Sequence, residues 1–172
     1  MKQFYRLAAL FLALLLLCGC VAGNGYGKPE RKEGQDEYLT DPVPEGRPAP
    51  VEPGTATEGS TATCTFSISC ATILNNWDQC DEEKKPLVPS DGVIFPRSTV
   101  TFTEGESVFD VLQRICRENK LHLEFTWSGL YNSAYIEGIN NLYEFDVGSL
   151  SGWMYNVNGW YPNYGCSRYQ VK

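Results

Sequence analysis

Gly148-Ser149-Leu150-Ser151-Gly152-Trp153-Met154-Tyr155-Asn156-Val157-Asn158-Gly159-Trp160-Tyr161-Pro162-Asn163-Tyr164-Gly165-Cys166 is the stretch that decides the fold. Asn158-Gly159 separates two aromatic-rich runs. An Asn-Gly pair takes positive φ at both positions, as a type I′ turn requires. Trp153 to Val157 and Trp160 to Tyr164 therefore read as two strands of a C-terminal hairpin. A two-residue turn sets Val157 opposite Trp160, Tyr155 opposite Pro162 and Trp153 opposite Tyr164. These six share one face. Met154, Asn156, Tyr161 and Asn163 share the other.

Working outward, Ser107 opens the one clear helix. It is a good N-cap, and Asp110 completes a capping box. Val108, Val111, Leu112, Ile115 and Cys116 follow as an apolar stripe at helical spacing, with Asn119 as the stop. Before it, Cys64, Phe66, Ile68 and Cys70 alternate with polar residues, the pattern of a half-buried strand. Val93 to Phe95 reads as an edge ended by Pro96, and Ser98 to Thr103 alternates again with Val100 and Phe102 inward. After the helix, Leu121, Leu123 and Phe125 form another strand. His122, the single histidine of the chain, falls on its polar side, where a surface role is expected rather than a metal ligand. The elements give an α+β domain, with one helix packed on β-sheet.

The N-terminus reads as a targeting signal. Lys2 and Arg6 precede an apolar run, Leu7 to Leu17, too short to span a bilayer. Leu17-Cys18-Gly19-Cys20 resembles a bacterial lipobox, with Cys20 taking the lipid. Residues 1–19 are expected to be removed, leaving a protein exported and held by lipid on the outer face of the bacterial cell membrane. Loss of Lys2 and Arg6 moves the formal charge from −7 to −9. Nucleic acid is a poor partner for such a chain. Residues 20–62 are rich in Pro, Gly and Glu and poor in large aliphatics, the composition of a disordered tether. The globular domain is set at 63–172.

Five cysteines remain past the lipid site: Cys64, Cys70, Cys80, Cys116 and Cys166. Cys64 and Cys70 lie about 20 Å apart on a straight strand and cannot pair with each other. Buried free thiols acting as small hydrophobes are the first reading, with one or two disulfides as the alternative. The acidic run Cys80-Asp81-Glu82-Glu83 is followed by Lys84-Lys85, so a solvated loop is expected and no metal site. Gly148 to Gly152 has Leu where a nucleophile elbow needs Ser, and no phosphate loop or zinc motif is present. No catalytic residue stands out. The chain reads as a binding module, not an enzyme, with no cofactor required.

Three segments occur in order: Gly105-Glu106-Ser107-Val108-Phe109-Asp110-Val111-Leu112, Tyr135-Ile136-Glu137-Gly138-Ile139-Asn140, and Ser151 through Gly159. Together they resemble the transcobalamin-like C-terminal domain, found as a domain of unknown function in exported bacterial proteins. The resemblance covers roughly residues 64–169. It implies a β-grasp-like arrangement and a corrinoid such as cobalamin as ligand. It also implies a further apolar strand beyond Lys172, so the domain as given is expected to lack its last strand.

For Trp153, Tyr155, Trp160 and Tyr164 core packing is the first reading. The functional reading is a ring surface that stacks a flat ligand, with Asn156, Asn158 and Tyr161 bonding its side groups. Aromatic rings with amides also suit a glycan, and a tethered domain also suits adhesion to another surface protein.

Overall fold

The computed structural model describes residues 29–54 and 59–172. The lipid-site cysteine Cys20 and the signal segment lie outside the described residues. A compact unit spans Arg31–Lys172.

Strand β1 (Thr61–Ser69) pairs antiparallel with β2 (Val93–Thr103). Two 3-10 turns, Ala71–Asn75 and Trp77–Gln79, follow β1. Helix α1 runs Val108–Glu118. A second antiparallel sheet, in the order β3-β4-β5, comprises β3 (Leu123–Ser128), β4 (Ser133–Ile139) and β5 (Leu142–Tyr143). One helix over two antiparallel sheets is a small α+β domain, as the sequence pattern predicts.

The capping box forms as expected. The Asp110 amide donates to Ser107 Oγ (3.1 Å), and the Ser107 amide donates to Asp110 Oδ2 (2.8 Å). Two of the donors orphaned at a helix start are thereby satisfied. At the other end Asn119 Nδ2 donates to the Ile115 carbonyl (2.9 Å). Val111, Leu112, Ile115 and Cys116 are buried, and so is Phe109. The predicted stripe omitted Phe109, which turns toward β3 and meets Phe125 edge-to-face at 4.8 Å. Ile68 and Phe102 from the first sheet and Ile139 from the second pack on the stripe.

Two strand expectations are corrected. Pro96 does not end a strand; β2 continues through it. The register passes from Phe66 opposite Ser98 to Ile68 opposite Phe95, so one residue of β1 faces two of β2. This bulge absorbs a residue with no N–H to give to the ladder. Conversely, the 153–164 stretch forms no extended ladder. Only Val157 and Trp160 pair, exchanging backbone bonds of 2.8 and 3.1 Å around the turn. Asn158 (φ 51°) and Gly159 (φ 79°) both take positive φ, as that turn demands. The ladder stops where Pro162 would have to donate.

The tether expectation differs most from the structure. Over residues 31–54 the chain lies against the domain, held largely through Arg168. This residue is 4 % exposed. It donates to Thr40 Oγ1 (3.0 Å) and Asp36 Oδ2 (3.1 Å), and packs on the Tyr38 ring at 4.9 Å. The Val51 amide donates to the Arg168 carbonyl (2.9 Å). Low hydrophobicity argued for disorder, but here polar bonds to one buried cation do the ordering.

In denaturant titrations, Ile115→Ala is expected to cost about 2–5 kcal/mol through the cavity it leaves. Ser107→Ala is expected to cost about 1 kcal/mol through the lost cap.

Candidate functional site

The tight turn sorts the candidate residues into two groups. Burial alternates from Trp153 to Tyr164 as the hairpin register predicts. Trp153, Tyr155, Val157, Trp160 and Pro162 are half-buried and Tyr164 is buried, while Met154, Asn156, Asn158, Tyr161 and Asn163 are exposed.

The inward group is engaged within the molecule. Trp153 packs against both main apolar clusters, and its indole N–H donates to the Leu142 carbonyl (2.9 Å). It stands apart from the other rings. Tyr155, Trp160 and Tyr164 gather around Tyr169, at centroid distances of 6.3, 6.2 and 6.2 Å. Tyr155 Oη donates to the Tyr164 carbonyl (2.8 Å), and Tyr164 Oη donates to the Pro48 carbonyl (2.6 Å). The Arg47 guanidinium lies 5.2 Å from the centre of the Trp160 ring. The expectation that Tyr155 and Tyr164 offer their faces to a ligand therefore gives way to the core reading. Their rings are taken by neighbours and their hydroxyls by carbonyls. Tyr169 was missed because it falls beyond the hairpin pattern.

In the outward group Asn163 Nδ2 donates to the Asp41 carbonyl (2.9 Å), while Met154 and Tyr161 stand well exposed, at 76 % and 56 %. The preceding loop adds two apolar side chains the sequence reading passed over. Leu150 is 98 % exposed, and Phe145 is also exposed with φ 70°. Positive φ at a bulky residue is strained and clusters at functional positions. The loop itself is held closed. The Phe145 amide donates to the Ser151 carbonyl (3.1 Å), and the Val147 amide donates to Ser151 Oγ (3.1 Å). No sequence signal marks Phe145, since its backbone angle is set by this closure.

Two further features lie elsewhere. His122 caps the β4–β5 turn, where Asn140 and Asn141 both take positive φ and the Asn141 amide donates to Nδ1 (3.2 Å). With Nδ1 accepting, the neutral ring carries its proton on Nε2, 3.1 Å from Tyr143 Oη, which in turn donates to Glu124 (2.7 Å). Tyr143 lies over Gly138, where a Cβ would come within 2.7 Å of the ring. Separately, a cavity of about 300 Å³ is lined by Trp127, Phe109, Asp110, Glu52, Asn132 and Ser167 among others. Among the described residues no group of three or more His, Cys, Asp and Glu is placed to hold a metal ion.

A short capped helix, two small antiparallel sheets and a tight aromatic turn define a compact α+β module with an exposed turn face. Residues 105–172 match the model of a family described as a domain of unknown function, DUF4430. The match falls on the three segments that carry the transcobalamin-like resemblance. No curated protein and no solved structure matches the chain.

Burial sets the alkaline behaviour of the inward face. It pushes the Tyr164 phenol from its ordinary 10.0 up to about 12, with the nearby Tyr169 adding to the rise. Burial likewise raises Tyr155, and moves the Cys116 thiol from 9.0 to about 11. The folded state therefore holds protons that the unfolded chain releases, so stability is complete below the unfolded values and falls as pH rises through this range. Thermal midpoints measured from pH 8 to 12 are expected to decline above about pH 9–10. Tyr164→Phe is expected to flatten part of that decline.

Proposed function

We propose that this protein is a non-catalytic binding module, exported and held by a lipid on Cys20 at the outer face of a bacterial cell membrane. In this reading it receives a corrinoid-like ligand on the outward face of the Asn158-Gly159 turn. The observation that carries the reading is the split of that turn. Its aromatic half is committed to the interior, while Asn156, Asn158, Tyr161 and Met154 stand exposed on a backbone fixed by the tight turn and by the packing of Trp153. A rigid platform loses little entropy on binding. A corrin has a broad apolar face and a rim of carboxamide side groups. Tyr161 and Met154 suit the face, and the asparagine amides suit the rim, each both donating and accepting. The transcobalamin-like resemblance implies the same ligand class, and the family match over residues 105–172 covers the segments that carry that resemblance.

A glycan is the second reading, and the cavity beside Trp127 favours it. An exposed indole, two carboxylates and the Asn132 amide, which donates to Glu52 (2.8 Å), are groups that suit a sugar ring and its hydroxyls. The membrane link rests on the sequence signal alone. Among the described residues no helix is long and apolar enough to cross a bilayer.

Isothermal titration of cyanocobalamin and cobinamide into the full chain tests the first reading. Micromolar or tighter binding is expected. Asn156→Ala or Tyr161→Ala should each weaken it by roughly tenfold, a loss of about 1.4 kcal/mol, without changing the thermal midpoint. No heat from the folded chain would overturn the corrinoid reading. Retention on a polysaccharide matrix that Trp127→Ala abolishes would establish the glycan reading instead.

A further inference from the structure

Two of the buried cysteines occupy one small apolar cluster. Cys70 and Cys80 are each 4 % exposed, and they pack with Ile73 and Leu142. The chain between them is wound tightly. The Ile73 amide donates to the Cys70 carbonyl, Asn76 to Ile73, Gln79 to Asn76 and Cys80 to Trp77, at 2.9 to 3.3 Å. Asn76 leaves helical geometry at φ −129° between the two 3-10 turns. This break lets the second turn bring Cys80 back to the cluster that Cys70 opens. The other thiols lie elsewhere. Cys116 sits in the stripe of α1 with Cys64 at its margin, and Cys166 sits with Phe109 and Ala134.

We propose that Cys70 and Cys80 are a disulfide-forming pair, closed by a disulfide oxidant. The thiolate of one cysteine attacks a sulfur of the oxidant RSSR and expels one RS⁻. The thiolate of the other then attacks the mixed disulfide and expels the second RS⁻. The pair loses two electrons and two protons, and the oxidant leaves as two RSH. Burial raises both thiols above their ordinary value. Thiolate is therefore scarce in the closed fold, and the exchange belongs to the folding chain before the cluster seals.

The bond would brace the face described above, although the inference does not depend on what that face binds. The Asp81 amide, next to Cys80, donates to the Asp146 carbonyl (2.9 Å). Gln79 Oε1 lies 3.0 Å from where a Cβ on Gly148 would stand. The crosslinked segment thus forms the back wall of the 145–151 loop that carries Phe145 and Leu150.

The test refolds the full chain with oxidised and reduced glutathione, blocks free thiols under denaturing conditions, and cleaves before Asp78 and after Phe66, so that Cys64, Cys70 and Cys80 fall on separate peptides. No Lys or Arg lies between the two cysteines, so cleavage there is needed to separate them. A peptide pair joined through Cys70 and Cys80 is expected, absent from Cys80→Ser. Reduction should lower the thermal midpoint of the wild-type chain by roughly 10 °C, and leave that of Cys80→Ser unchanged. Blocking of both residues in the refolded wild-type chain would overturn the proposal. So would a linked peptide joining either to Cys64, Cys116 or Cys166. The peptide map of the wild-type chain decides the matter even where the variant does not fold.

Discussion

No backbone ladder joins the two sheets among the described residues, so the sheets meet chiefly through side-chain packing on α1. The stripe of α1 receives residues from both sheets, and Trp153 fills the gap between the two main clusters. Apolar burial is strong but has no direction of its own. Direction comes from one bond, indole to the Leu142 carbonyl, which fixes how the ring lies and with it where the following turn emerges. The turn is thereby presented by the core rather than by a sheet.

A second constraint comes from a buried cation. Arg168 is a costly residue to bury, and its hydrogen-bond partners come from Asp36, Thr40 and Val51. Burial opposes ionisation of Asp36, but the amides of Thr40 and Tyr38 and the guanidinium outweigh it and lower its pKa. The arrangement lays the 31–54 segment across the tyrosine cluster. The inward rings are covered by the protein itself, and only the opposite side of the turn is left for a partner.

What could be read from sequence follows the range of the forces involved. The capping box, the stripe and the Asn158-Gly159 turn depend on residues three or four apart, and each appears, the stripe with Phe109 added and Val108 only half-buried. The inward and outward assignment of Trp153 to Tyr164 also follows, because a two-residue turn fixes register. Phe109 escaped notice because its partner, Phe125, comes from a separate strand. Pro96 looked like a terminator because the bulge that tolerates it arises only from the pairing of β2 with β1, a strand some thirty residues earlier. The 31–54 segment looked disordered because composition measures hydrophobic content, while its order comes from a guanidinium more than a hundred residues away. At the candidate site, the asparagines and Tyr161 were legible as a group. Phe145 and Leu150 were not, since their exposure results from closure of the loop through Ser151.

The turn also acts as a phase lock. Side chains along an extended segment change sides at every residue, so which half of the Trp153–Tyr164 stretch meets the interior depends on counting through Asn158-Gly159. One residue inserted there would shift the second arm by half a period, putting Tyr161 and Asn163 where Trp160 and Tyr164 now pack. The same composition would then have an amide-lined interior and a sticky aromatic exterior, a recipe for self-association rather than selective binding.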